Sequence, residues 1–294
     1  MFALSWRSAL ISFVLPFATL SSPHAADFDP VPLNSKVQEV EIRLSARVGV
    51  SVIDTGSGKV WSYQGDQRFP TNSTFKAFLC AAFLDAGDAG RTDPDRAVTI
   101  RQKDLVTYSP VTEKRVGGKS FTVRELCEVT VTTSDNAAAN LVMQDIGGPE
   151  ALNAFLRRIG DEKTRADRWE PESNTGYPGD DRDTTTPDAA AETLKKLVLG
   201  TALTSQSRDQ LTEWLIGNKV GNATLRAGLP EGWKIADKTG AGGNGSRNNI
   251  AVIWPENREP VVIAIYITQT EAPFKARNRA IAEIGAALAE SVKP

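Results

Sequence analysis

Ser73-Thr74-Phe75-Lys76 places a hydroxyl and an amine three residues apart at the head of an apolar run. On a helix that spacing puts both on one face, one turn apart. A serine at such a position gains two aids, the outward N–H groups of a helix start and an amine able to take its proton. Taken alone, the string also reads as a helix cap followed by a solvated lysine. Two further triplets carry groups suited to the same chemistry. Ser134-Asp135-Asn136 falls between two helical stretches, where it also reads as a cap in a helix–helix turn. Lys238-Thr239-Gly240 closes a β-rich run and enters Ala241-Gly242-Gly243, which alone is a strand exit into a glycine-rich turn. Each is weak singly; the ordered set in one chain is not.

Composition narrows what these residues can do. The chain has 294 residues, a net charge of −2, 40% hydrophobic and 24% charged residues, the profile of a soluble globular protein with no electrostatic case for nucleic acid or an anionic membrane. Arg7 precedes an apolar stretch over residues 9–20, interrupted by Pro16 and followed by the small residues Ser21, Ser22, Ala25 and Ala26. This is the layout of a secretory signal peptide, so residues 1–26 are expected to be removed on export to the periplasm, leaving no membrane anchor. The sole histidine, His24, leaves with it. A mature chain without histidine has no Ser-His-Asp triad and no histidine-bearing zinc site, so no metal or cofactor is expected. Catalysis must come from Ser, Lys, Glu, Asp or Tyr. Cys80 and Cys127 are the two cysteines, and an oxidising compartment would join them. Such a bridge would stabilise by about 4 kcal/mol in the chain-entropy model; the alternative is a pair of buried thiols.

The elements that must position these groups follow from periodicity. Apolar residues at helical spacing predict a first helix over 37–48, and β-rich runs over 47–53 and 59–63, on either side of Asp54-Thr55-Gly56-Ser57-Gly58, predict a hairpin, so Val48 is claimed by both. Residues 70–216 then turn helical. Phe75, Phe78, Leu79, Ala82 and Phe83 form a buried stripe, and Thr122-Val123-Arg124-Glu125 is a capping box. Helices are predicted over 137–146, from Pro149 to the Gly160 stop, from Pro187 to about Gly200, and over 207–215. Residues 161–186 have no period and form a long polar loop, a length more often functional than idle. Strands return over 233–239, 249–254 and 260–268, and a helix over 276–292 closes the chain. Strands at both ends with helices between predict an α/β fold whose sheet is built from both chain ends. The expected division is a discontinuous sheet domain, 27–64 with 217–294, and an inserted all-helical domain, 65–216.

The three ordered motifs resemble the penicillin-recognising serine enzymes, a group of β-lactamases and penicillin-binding proteins. The long loop favours one branch. Arg168-Trp169-Glu170-Pro171-Glu172-Ser173-Asn174, with Asp181-Arg182-Asp183 further on, is similar to the Ω-loop of class A β-lactamases, here residues 165–183. Ser173 departs from the leucine frequent there. Similarity extends over nearly the whole mature chain, including Tyr108-Ser109-Pro110-Val111-Thr112, the cysteine spacing, and Arg247 after Asn244-Gly245-Ser246.

The resemblance implies a five-stranded antiparallel sheet flanked by helices and a monomer that hydrolyses β-lactams without a cofactor. It implies that Ser73 attacks the lactam carbonyl, with N–H groups of Ser73 and Ala241 as oxyanion hole. Lys76, or Glu170 acting through water, would be the acylation base, and Ser134 would protonate the departing nitrogen. Lys238, Thr239 and Arg247 would hold the substrate carboxylate, Asn136 its side-chain amide, and Tyr108 the cleft wall, with Gly240 also in the substrate-binding set. Glu170 and Asn174 would hold the deacylating water. Arg168 and Asp183 would pair to close the loop. A wall-building peptidase or a β-lactam sensor would share the acylating serine but not the loop carboxylate.

Overall fold

The computed structural model describes residues 1–2 and 28–292, so the expected signal peptide falls almost wholly outside the described residues. Helix α1 (Val31–Leu44) buries Leu33, Val37, Val40 and Leu44 along one stripe. It starts earlier than predicted because Pro32 suits a first helical turn, whose N–H groups need no helical acceptor. It ends at Ser45, which turns left-handed at φ 45°. Val48, claimed by both the helical spacing and the β-rich run, therefore falls in β1 (Arg47–Asp54), which pairs antiparallel with β2 (Val60–Tyr63). Asp54 organises their turn, accepting from the N–H groups of Gly56 and Ser57 and from Arg258 Nη2 at 2.8 Å.

Two-residue strand β3 (Phe69–Pro70) leads through a 3₁₀ turn, Asn72–Thr74, into α2 (Phe75–Asp88). The predicted stripe lies inside, and so does nearly every other side chain of α2, including Lys76. A helix buried all round is one that other helices surround. A short ladder of β4 (Ala97–Val98) and β5 (Phe121–Thr122) precedes α3 (Val123–Thr133). The capping box closes as the sequence predicts, with Thr122 N donating to Glu125 Oε2 and Glu125 N to Thr122 Oγ1. Helices α4 (Asn136–Ile146) and α5 (Pro149–Arg158) follow, separated by Gly147 at φ 102°. After the long loop, β6 (Thr184–Thr185) pairs back onto β3, and α6 (Pro187–Val198) packs on the sheet. Then come α7 (Ser205–Ile216), α8 (Leu225–Gly228), β7 (Lys234–Ala241), β8 (Arg247–Trp254), β9 (Val261–Thr268) and α9 (Phe274–Ser291).

The sheet runs in the order β2-β1-β9-β8-β7, antiparallel throughout. Both faces are buried. On β9, Val261, Ile263, Ile265 and Ile267 join the core beneath α1 and α9, while Val262, Ala264 and Tyr266 join the core shared with the central helices. Successive side chains point to opposite faces, so a strand covered on both sides reads as one apolar run.

The expected disulfide is absent from this structure. Cys80 on α2 and Cys127 on α3 are buried free thiols, with Cys80 Sγ donating to the Cys127 carbonyl at 3.6 Å. Burial, reinforced by Cys80, pushes the Cys127 thiol well above its ordinary value.

The Asp54–Arg258 pair ties the first hairpin to the β8–β9 connection, with side chains 0% and 3% exposed. Removing one member strands the other charge, which costs about 3–5 kcal/mol. Arg258→Ala is expected to lower stability by that amount in urea melts; a loss below about 1 kcal/mol would mean that water reaches and solvates Asp54 in the variant.

Candidate active site

Ser73 lies in the 3₁₀ turn that opens α2, on the floor of a cavity of about 580 Å³. Tyr108, Ser134, Asn136, Asn174, Thr239, Gly240, Ala241 and Arg247 line the same cavity, so residues widely spaced in the sequence converge there. Lys76, one turn further along α2, is completely buried. Its Nζ donates to the Ser134 carbonyl at 2.9 Å and to Asn136 Oδ1 at 2.5 Å, and lies 3.0 Å from Glu170 Oε1. Glu170 is equally sealed from solvent.

The Ser-Asp-Asn turn sits where α3 ends and α4 begins. Ser134 is left-handed at φ 63°, which turns its carbonyl toward Lys76. Asp135 caps α4 by accepting from Ala138 N at 2.9 Å, so the cap reading of this triplet is also true. Its carboxylate further accepts from the N–H groups of Val111 and Thr112, both at 3.0 Å, fastening the segment that carries Tyr108. Asn136 donates from Nδ2 to the Thr107 carbonyl while its Oδ1 receives Lys76. Tyr108 is half exposed at the cavity mouth.

Residues 165–183 close on themselves through Asp183. Its carboxylate accepts from the backbone N–H groups of Asp167 and Arg168 and from Arg168 Nε at 2.5 Å. Arg168 also donates to Thr175 Oγ1. The loop is pinned to α4 by Asn140, whose Nδ2 donates to the Glu170 carbonyl at 2.8 Å and whose Oδ1 accepts from Glu170 N at 2.9 Å. Asn174 Nδ2 donates to Glu170 Oε2. The Glu170–Pro171 bond is cis. Ser173 is buried, with its N–H on the Trp169 carbonyl.

Strand β7 forms the opposite wall. Lys238 is fully buried and donates to Ser134 Oγ at 3.1 Å and to the Thr239 carbonyl at 2.9 Å. Burial, then the charge of Lys76, holds its ammonium well below the ordinary lysine value; Arg247 adds to this, and Asp237 and Glu170 oppose it. Arg247, on β8, donates to the Gly240 carbonyl at 3.1 Å and to Asn278 Oδ1 at 2.6 Å, and lies over the Phe274 ring. Burial, then Arg277, brings its guanidinium down to about 10.

Asn140, Asn278 and Phe274 are functional neighbours that sequence reasoning passed over. Asn140 had a signal, since it follows Asn136 by one helical turn. Asn278 and Phe274 had none, because nothing in the sequence tells that α9 reaches this cavity.

The arrangement suits a serine nucleophile with a lysine and a carboxylate in contact behind it. A family model described as the beta-lactamase enzyme family matches residues 32–292. Beta-lactamase AER-1 of Aeromonas hydrophila is 51% identical over 266 residues, 90% of this chain and 88% of that protein. Beta-lactamase PSE-4 of Pseudomonas aeruginosa is 46% identical over 276 residues, 94% of this chain and 95% of its own length. Among solved structures, an ancestral class A β-lactamase aligns with a TM-score of 0.86 at 54% identity, covering 88% of this chain and 99% of its own. The chromosome-encoded β-lactamase of Vibrio parahaemolyticus aligns with a TM-score of 0.85 at 45% identity, covering 88% and 98%.

Asp183→Ala deletes the acceptor of two backbone N–H groups and one guanidinium, which is expected to cost about 3 kcal/mol. Hydrogen exchange should accelerate across residues 165–183 and leave β9 unchanged; uniform protection across the loop would show that Asp183 does not hold it.

Proposed function

The chain belongs to the class A serine β-lactamases, and from that premise we propose that Ser73 is acylated by the substrate and freed by water that Glu170 activates. The protein hydrolyses β-lactam antibiotics, penicillins among them, and so confers resistance. The observation that carries the residue assignment is the buried contact of Lys76 Nζ with Glu170 Oε1, which couples a proton acceptor near Ser73 to a carboxylate on the loop.

In acylation, Ser73 Oγ bonds to the lactam carbonyl carbon. Its proton goes to Lys76 after that ammonium has passed one of its own across the 3.0 Å contact to Glu170, or goes through a water to Glu170 directly. The oxyanion forms against the N–H groups of Ser73 and Ala241, typically the largest electrostatic contribution in acyl transfer. The ring C–N bond then breaks and the nitrogen takes the proton of Ser134; the proton collected from Ser73 returns to Ser134 through Lys76, leaving Glu170 a carboxylate again, while Lys238 contacts Ser134 Oγ at 3.1 Å. Lys238, Thr239 and Arg247 receive the substrate carboxylate, Asn136 the side-chain amide, and Tyr108 walls the entrance, while Gly240 lines the cavity beside them. In deacylation, a water between Glu170 and Asn174 gives its proton to Glu170 as its oxygen bonds to the ester carbonyl, and Ser73 departs taking that proton back from Glu170 through Lys76.

The remaining readings belong to the same proposal. Residues 1–26 direct export to the periplasm and are removed, and the mature chain acts as a monomer without a membrane anchor. No helix among the described residues is long and apolar enough to cross a membrane. Export oxidises Cys80 and Cys127, whose side chains already meet, to a disulfide that braces α2. The mature chain divides into a sheet domain of 27–64 with 217–294 and a helical domain of 65–216, with Arg168 and Asp183 closing its loop. Early cephalosporins extend the penicillin range.

Purified mature protein should turn over a chromogenic cephalosporin many times, with or without chelator; a stoichiometric burst followed by a stall would overturn hydrolysis. Glu170→Ala should accumulate a penicillin adduct visible by intact-mass measurement, and Ser73→Ala should show none. The depressed Lys238 value sets the alkaline limit of activity. Its charge is present below the depressed value and lost as pH rises through it, so kcat/KM should fall before the ordinary lysine value of about 10.4. Lys238→Arg, charged throughout, should move that limb upward; an unmoved limb would assign it to another group.

A further inference from the structure

Asn248 is a fully buried polar residue in the interior of β8, opposite Gly240 on β7 and Tyr266 on β9. It does not line the cavity. Its Nδ2 instead donates to the turn before the nucleophile: to the Pro70 carbonyl at 2.8 Å, the Thr71 carbonyl at 3.2 Å and Asn72 Oδ1 at 3.0 Å. Two amide hydrogens serve three oxygens, and a rotated amide would set its own oxygen against all three, so the orientation is determined.

The turn it grips needs holding. Asn72 is fully buried at φ 43°, a left-handed conformation that a non-glycine residue keeps only where its surroundings impose it. From the other side, β7 presses on the same turn. A Cβ at Gly240 would lie 3.1 Å from the Thr71 oxygen and 3.2 Å from both Asn72 Cβ and Ser73 N. Ser73 directly follows Asn72, and Ala241 directly follows Gly240.

We infer that Asn248 is a positioning residue for acylation. By holding Thr71 and Asn72 against β7, it sets the separation and direction of the Ser73 and Ala241 N–H groups that receive the oxyanion. The inference rests on Ser73 being the nucleophile. An oxyanion hole acts on the tetrahedral state and little on bound substrate, which separates this role from a general structural one.

The test compares Asn248→Ala and Asn248→Ser with the parent for benzylpenicillin turnover, for affinity toward phenylboronic acid, whose serine adduct is tetrahedral, and for thermal stability. Asn248→Ala is expected to lower kcat/KM about 100-fold, the scale of a misplaced catalytic group. Boronate affinity should fall by a similar factor. Benzylpenicillin affinity, measured in Ser73→Ala with and without Asn248→Ala, should stay within about twofold, since ground-state binding does not use the hole. Asn248→Ser keeps one donor and should recover part of both losses, and it carries the test if the alanine variant does not fold. Unchanged boronate affinity in either variant, or an equal loss of ground-state affinity, overturns the role whatever the melting temperature does. A penicillin adduct that survives Ser73→Ala overturns the nucleophile assignment and this inference together. An adduct confined to Ser73, with Asn248→Ala at parental rates, overturns the Asn248 role alone.

Discussion

The ammonium of Lys76 is held out of water, and the site is arranged around that fact. An ammonium has three hydrogens, and three oxygens meet this one: the Ser134 carbonyl, Asn136 Oδ1 and Glu170 Oε1. An unpaired buried charge costs several kcal/mol, so each acceptor has to be delivered and kept in place. Two come from one short turn, Ser134 at a helix end and Asn136 at the next helix start, and the third from a long loop. Satisfying Lys76 therefore joins α2, the α3–α4 turn and the loop into a single cooperative unit, and the cavity in front of Ser73 is its open side.

That demand explains how much of the surrounding hydrogen bonding goes into irregular backbone. Asp135 spends its carboxylate on the cap of α4 and on Val111 and Thr112. Asp183 fastens Asp167 and Arg168 with its carboxylate, while its carbonyl receives both N and Oγ1 of Thr71, just ahead of the nucleophile. Asn140 clamps Glu170 from both backbone atoms. The loop also meets the β7–β8 turn, where Gly243 N donates to the Asn174 carbonyl at 2.8 Å. Loops usually tolerate motion; this one is bonded on three sides because it carries a buried carboxylate.

The second wall follows another rule. Lys238 on edge strand β7 and Arg247 on its neighbour β8 are cations with little access to solvent, and they repel Lys76 and Arg277 respectively. A site that holds several desolvated cations around an apolar-walled cavity is prepared for an anion. Free of one, it keeps Lys238 easier to deprotonate than an ordinary lysine. The same electrostatics thus favours an acidic substrate and makes its recognition sensitive to alkali.

The sequence by itself determined the chemistry available and the succession of elements. The confinement of histidine to His24, the three ordered motifs and Glu170 in its aperiodic loop were all legible, because residue type and local order are written directly in the chain. Periodicity gave the central helices and the C-terminal strands to within a few residues, and the capping box at Thr122 formed as read. Tertiary structure decided what periodicity cannot express. It decided between the helical and β readings of Val48 in favour of the strand, because a left-handed Ser45 ended α1 first, and it buried α2 on nearly every side. It also brought Asn278 and Phe274 of α9, and Asn248 of β8, to residues some 30 to 178 positions earlier. Such contacts depend on which faces meet once two cores are filled, a global packing outcome that no local spacing records.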